Sequence, residues 1–214
     1  MKRKIIIIWG MMPFLVGLFS NANCQKAYKT DLGIGVVALD FGLNASYYRK
    51  VNFYVDKQAT SVTFTLNTWD GQDSVPIVPF DNLGAPPFLY FRCLDSTKTM
   101  YHIVSNDSTG ISLWIRKEKG NAFLTWFAYF KGFNWIVFGG KGLHTCPNDT
   151  CQIANKSSSL SNTAQILRMQ GDWMKIETKS YSNLEDDLPA PHRIIGWIRW
   201  RKENSLLVNG YNNE

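Results

Sequence analysis

Apolar and polar residues alternate with period two along much of the chain. Ser61-Val62-Thr63-Phe64-Thr65-Leu66 alternates position by position, residues 101–104, 111–115, 166–176 and 197–200 keep the same rhythm, and 51–55 is rich in β-branched and aromatic residues. Successive side chains of a strand point to opposite faces, so this period predicts half-buried β-strands. Turn-forming clusters separate the runs at Asp70-Gly71, Asn82-Leu83-Gly84, 106–110 and Gly171-Asp172. The expected fold is mainly β. One segment departs from the rhythm: Phe123, Trp126, Phe127 and Phe130 recur at i, i+3, i+4 and i+7, with Asn121 placed to cap and Gly132 to stop a short helix over 121–130. Its aromatic stripe reads as core, and the helix is expected as a plug or connector packed against sheets.

After Gly139-Gly140 the chain turns polar, through Cys146, Cys151 and the serines of 157–161, before alternation resumes at Ile166. That shift divides the chain into a β-rich N-terminal domain over 23–140, ending in the short helix, and a C-terminal domain over 141–214. The halves echo one another. Tyr101-His102-Ile103-Val104 followed by Leu113-Trp114-Ile115-Arg116 has the same order of parts as Trp173-Met174-Lys175-Ile176 followed by Gly196-Trp197-Ile198-Arg199. The second copy carries a longer connection, which loop-closure entropy penalises only logarithmically. One or two small β-barrels, related if two, with a short connecting helix follow as an expectation.

The first residues have a different character. Lys2, Arg3 and Lys4 precede a 15-residue apolar run from Ile5 to Phe19, and Ser20-Asn21-Ala22 supplies small residues for a cut after Ala22. This reads as a signal peptide over 1–22, too short to persist as a transmembrane anchor. The expected location is periplasmic or extracellular. Cys24 offers acylation as an alternative, an outer-surface lipoprotein, although Asn21 and Asn23 stand where such signals place Leu and a small residue. In an oxidising compartment Cys146 and Cys151 either close a small loop across Pro147-Asn148-Asp149-Thr150 or remain free thiols, and Cys93 reads as a buried small hydrophobe.

Charge narrows the partners. The chain carries 23 Lys+Arg against 17 Asp+Glu, a formal +6, and three of those cations lie in the leader, leaving 20 against 17. A surplus of three does not make a phosphate-tracking surface, so nucleic acid is not an expected partner.

At Gly171-Asp172-Trp173-Met174-Lys175-Ile176, then Gly196-Trp197-Ile198 and Leu206-Leu207, the C-terminal part resembles bacterial Src-homology-3-like domains. The resemblance is clearest over 160–210 and weaker over 88–117. It implies small, strongly bent β-barrels used as binding or positioning modules in exported proteins near the cell wall. Read on its own, alternation puts Met174, Ile176, Ile198 and Trp200 on one face and Trp173, Lys175, Trp197, Arg199 and Arg201 on the other. These five are the candidate ligand-binding residues: indoles to stack on sugars or peptide, cations to pair with carboxylates. The alternative is that the Trp side chains close the barrel ends and the Arg side chains lie across them. The expected partner is a cell-wall polymer or an envelope protein.

Catalytic motifs are not found in the sequence. Gly33-Ile34-Gly35-Val36-Val37-Ala38 matches the dinucleotide fingerprint in letters, but no strand precedes it and Val36-Val37 favours extended structure. Cys93 with His102, His144 or His192 lies in no thiol-peptidase signature, and His144, Cys146 and Cys151 give at most three zinc ligands. Glu185-Asp186-Asp187 are adjacent in one polar loop, whereas glycosidases hold two acids across a cleft. The reading is a non-enzymatic exported module without cofactor or metal. A cell-wall hydrolase with an unrecognised site in the N-terminal half and an envelope scaffold are the alternatives.

Overall fold

A computed structural model describes residues 26–27, 30–40, 49–67, 77–80, 88–133, 135–139, 142–155, 160–180 and 192–211. The signal peptide expected over 1–22, the acylation candidate Cys24 and the acidic residues 185–187 lie outside them. In chain order the first strands are β1 (Lys26–Ala27), β2 (Gly35–Asp40), β3 (Lys50–Tyr54), β4 (Val62–Asn67), β5 (Phe88–Ser96), β6 (Met100–Asn106), β7 (Ile111–Arg116) and β8 (Asn121–Thr125). A single turn and a half of helix, α1 (Trp126–Lys131), leads to β9 (Trp135–Phe138), β10 (Leu143–His144), β11 (Ile153–Asn155), β12 (Leu160–Gln170) and β13 (Trp173–Ser180). The chain ends with β14 (His192–Arg199), β15 (Arg201–Lys202), β16 (Ser205–Leu206) and β17 (Val208–Tyr211).

The protein is mainly β, in antiparallel sheets. The first large sheet runs β4-β3-β7-β6-β5-β2-β8 and the second β11-β10-β14-β13-β12-β9-β17. Adding seven to each label of the first gives the second, apart from β8, whose counterpart is β17 because β15 and β16 intervene. The irregularities correspond too. A bulge separates Phe53 from Tyr54 on the β3–β4 ladder and Leu143 from His144 on β10–β11. Another falls between Cys93 and Asp95 opposite Ile103 and His102, and between Ile166 and Arg168 opposite Ile176 and Lys175. Even one hydrogen bond outside the ladders has a twin, Lys117 N–H to the Thr99 carbonyl and Trp200 N–H to that of Asp172. Apart from a small three-stranded sheet, β1-β16-β15, the described chain is one seven-stranded unit built twice. Neither copy is a closed barrel among the described residues, so the expectation holds at the level of two related β units and not of barrels.

Each unit fills its inner face differently. The first core, with Val37, Leu39, Phe53, Phe91, Ile103 and Ile115 all fully buried, is built from its own sheet, with Ile77 from the segment before β5 packed against it. The second joins Ile136, Phe138, Met174, Ile176 and Val208 to Trp126, Phe130 and Phe133 from α1 and the turn after it. α1 is thus the plug, and Val36 of β2 reaches the same core. This two-sided burial explains the unbroken apolar run of β2, where five of six residues are buried.

Two expectations change here. The helix begins at Trp126, capped by Thr125, whose hydroxyl accepts from the Ala128 N–H at 3.2 Å. Residues 121–125 instead pair with β2, Val37 opposite Phe123. Asn121 caps nothing: its amide donates to the Arg116 carbonyl at 2.7 Å and accepts from Arg49. Short apolar runs satisfy both periods, and here a partner strand decides. The polar stretch after 140 holds β10 and β11, and Leu143 is fully buried, so 142–155 is an edge of the second sheet. β9, at 135–138, already belongs to that sheet.

Candidate functional site

The β13–β14 ladder fixes the outer face of the second unit. Trp173 stands opposite Arg199 and Lys175 opposite Trp197, while Met174 and Ile176 point into the core fully buried. β12 adds Arg168 opposite Lys175. The cations lie over the rings: Arg199 Cζ is 5.3 Å from the Trp173 centroid, and Arg168 Cζ is 5.3 Å from that of Trp197. Both indoles are only 7% exposed, so they are not an open stacking platform. What faces outward is a layer of cationic side chains, two of whose guanidinium groups lie over aromatic rings. Arg168 is a member of this layer that sequence reasoning missed. Its ladder position opposite Lys175 carried the signal, but the bulge at Leu167 shifts the alternation on which a face assignment depends.

A covalent strap closes one side. Cys146 and Cys151 form a disulfide with Cα atoms 5.8 Å apart, and the enclosed turn is held by Cys151 N–H donating to the Asn148 carbonyl at 3.1 Å. The strap brings Asp149 to Arg199 at 2.6 Å. At its base His144 sits opposite Trp197 on the ladder and edge-on to Trp173, with ring centroids 5.0 Å apart. The His144 Nδ1 lies 3.2 Å from the Cys151 carbonyl, which can only accept, so Nδ1 carries the proton.

Arg201 does not join this group. The ladder ends at Arg199, Trp200 turns into the core, and Arg201 pairs with Asp172 at 2.6 Å beneath a different cavity. Its guanidinium lies 5.0 Å from the Trp200 ring centroid. The structure therefore brings together Trp173, Lys175, Trp197 and Arg199 and separates Arg201 from them.

The other chemistry weighed from the sequence takes ordinary structural form. Gly33, at φ +78°, and Gly35 lie where a side chain would strike the backbone of Cys93 and Leu124, so sheet packing requires these glycines. Cys93 is fully buried, and burial pushes its thiol up to about 12, which keeps it protonated and unreactive. The His102 Nε2 lies 2.9 Å from the Ser112 hydroxyl, and its ring stacks on Trp114 with centroids 4.5 Å apart. Desolvation lowers the His102 imidazole below its usual value, opposed by Asp95 across the ladder. No group of three His, Cys, Asp or Glu is placed to hold a metal among the described residues. Nor is any described helix long and apolar enough to cross a membrane. No protein-family model, curated protein or solved structure matches the chain.

Proposed function

We propose that the protein is an exported, non-enzymatic binding or positioning module of the cell envelope, and that the β12–β13–β14 ribbon is its Src-homology-3-like element. One observation carries the reading: Arg168, Lys175 and Arg199 form a cationic layer over Trp173 and Trp197 on a single rigid ribbon. Guanidinium groups resting on indoles lose less conformational freedom on meeting a carboxylate than free ones do. The layer suits an acidic cell-wall polymer or an acidic face of an envelope protein. The Cys146–Cys151 bridge fits an oxidising compartment outside the cytoplasm.

Arg168→Glu combined with Lys175→Glu reverses two charges on partly or fully exposed side chains and leaves the core untouched. Retention on purified cell-wall polymer, or on isolated envelope fractions, should fall at least tenfold while the thermal midpoint stays within a few degrees. Undiminished retention removes this surface from the function. Fractionation with a mass spectrum of the mature chain checks export and the cut after Ala22.

A further inference from the structure

We infer that a second binding site lies between the two units and takes a free amino acid or short peptide as a zwitterion. The cavity measures about 410 Å³ and is lined by Asp31 and Ile34 from the segment before β2, Leu94 and His102 from the outer face of the first unit, and Arg201 from the second. At about 30 Å³ per water molecule it holds roughly a dozen waters, the bulk of a dipeptide. This is not the cationic layer described above, and it shares no residue with it.

The walls are fixed before any ligand arrives. Arg92, fully buried, donates from Nη1 to the Asp31 carbonyl at 2.6 Å and from Nη2 to the Thr30 hydroxyl at 3.0 Å, while its Nε pairs with Asp107 at 2.7 Å. The Ile34 N–H donates to the Cys93 carbonyl at 2.8 Å, which seats the segment along β5 beside the bulge at Leu94. On the opposite side Asp172 holds the Arg201 Nε, and no described residue accepts from the terminal amino groups of that fork. Asp31 uses one carboxylate oxygen to accept from the Gly33 N–H at 2.9 Å. An anion and a cation thus line one cavity, each held by its own neighbours and not paired with the other among the described residues.

That arrangement matches a molecule bearing both charges. The ligand carboxylate meets Arg201, its ammonium meets Asp31, and its side chain lies on Ile34, which is 51% exposed, and on Leu94. His102, stacked on Trp114 and bonded to Ser112, forms a rigid polar wall beside them. Small-molecule sites of this kind combine an apolar lining with a few convergent polar groups.

Isothermal titration of the full chain with alanine, Ala-Leu and Ala-Ala-Leu tests the assignment and separates a single amino acid from a peptide. Each compound is compared with its N-acetylated and C-amidated forms. At least one free zwitterion should bind, and blocking either end should weaken it tenfold or more. Asp31→Asn should erase the penalty for acetylation, Arg201→Gln the penalty for amidation. Because Arg201→Gln also breaks the pair with Asp172, Ile34→Trp serves as a second variant: it fills the cavity from a half-exposed position and should abolish binding with an unchanged melting curve. Absence of binding at millimolar ligand, or equal binding of the free compounds and their acetylated or amidated forms, overturns the site. Retention on cell-wall polymer is read in parallel with Ile34→Trp; since the cationic layer is intact there, its loss or survival reports on the other proposal separately.

Discussion

Where the first unit pairs His102 with Trp114 across its central hairpin, the second pairs Lys175 with Trp197, and one step along, Met100–Arg116 corresponds to Trp173–Arg199. The inward positions between and next to them are apolar in both copies: Tyr101, Ile103 and Ile115 in one, Met174, Ile176 and Ile198 in the other. The ladder dictates where a side chain stands and burial dictates that inward ones be apolar. Outward ones are free to differ, and they do. The first unit presents a histidine stacked on an indole beside a cavity, the second a cationic layer strapped by a disulfide. A repeated frame with unlike outer faces provides two different surfaces from one fold.

The largest expected difference lies in an ion pair that, among the described residues, is buried in the first copy alone. Arg92 is fully buried against Asp107, while the residue in the corresponding place, Gln165, is exposed. Asp107→Ala leaves a buried guanidinium without its carboxylate and should cost about 3–5 kcal/mol in urea unfolding. Gln165→Ala should stay within about 0.5 kcal/mol. Equal effects would mean that the two units are not energetically distinct at this position. A second difference belongs to the other copy. Replacing Cys146 and Cys151 by Ser frees a closed loop of six residues and should lower stability by about 2 kcal/mol, from the loop entropy restored to the unfolded chain. Asp149 then loses its tether to Arg199, so the fluorescence of the covered Trp173 should shift to the red. An unchanged spectrum would show that the strap does not cover that ring. Smaller again is Thr125→Ala, which removes the cap of α1 and should cost about 1 kcal/mol.

Much of this frame was legible as alternation, and the echo between Trp114 and Trp197 pointed to the repeat. The letters align Tyr101 with Trp173, one residue out of step with the ladders, which match Met100 to Trp173 and Tyr101 to Met174. Letter similarity favours aligning aromatic with aromatic; the pairing follows the inward side chain, whatever its type. Strand order lay beyond the sequence, since β2 finds β5 and β8 across long separations that no local pattern encodes. The faces of β13 and β14 were legible through Arg199. They failed at Arg201, where Trp200 enters the core and the strand direction changes, so period-two counting carries no further. The cavity between the units was hidden for the same reason, because Arg201 and His102 meet through the packing of two sheets and not through spacing.

The smallest predicted difference is a pH dependence at the hairpin position that His102 occupies in one unit and Lys175 in the other. Desolvation lowers the folded-state pKa of His102, so in the window below the ordinary value of about 6.5 the unfolded chain binds this proton more readily than the folded one. Stability tied to this residue is therefore present above that value and is lost as the pH falls from there through the folded pKa. Urea midpoints measured between pH 7.5 and 5.5 should decline on the acid side. His102→Gln keeps a polar group within reach of the Ser112 hydroxyl without a titrating proton, and it should flatten that decline. A slope that survives in His102→Gln would assign the acid sensitivity to other groups, and the imidazole beside the cavity would then be ordinary in its energetics, set apart from Lys175 by shape alone.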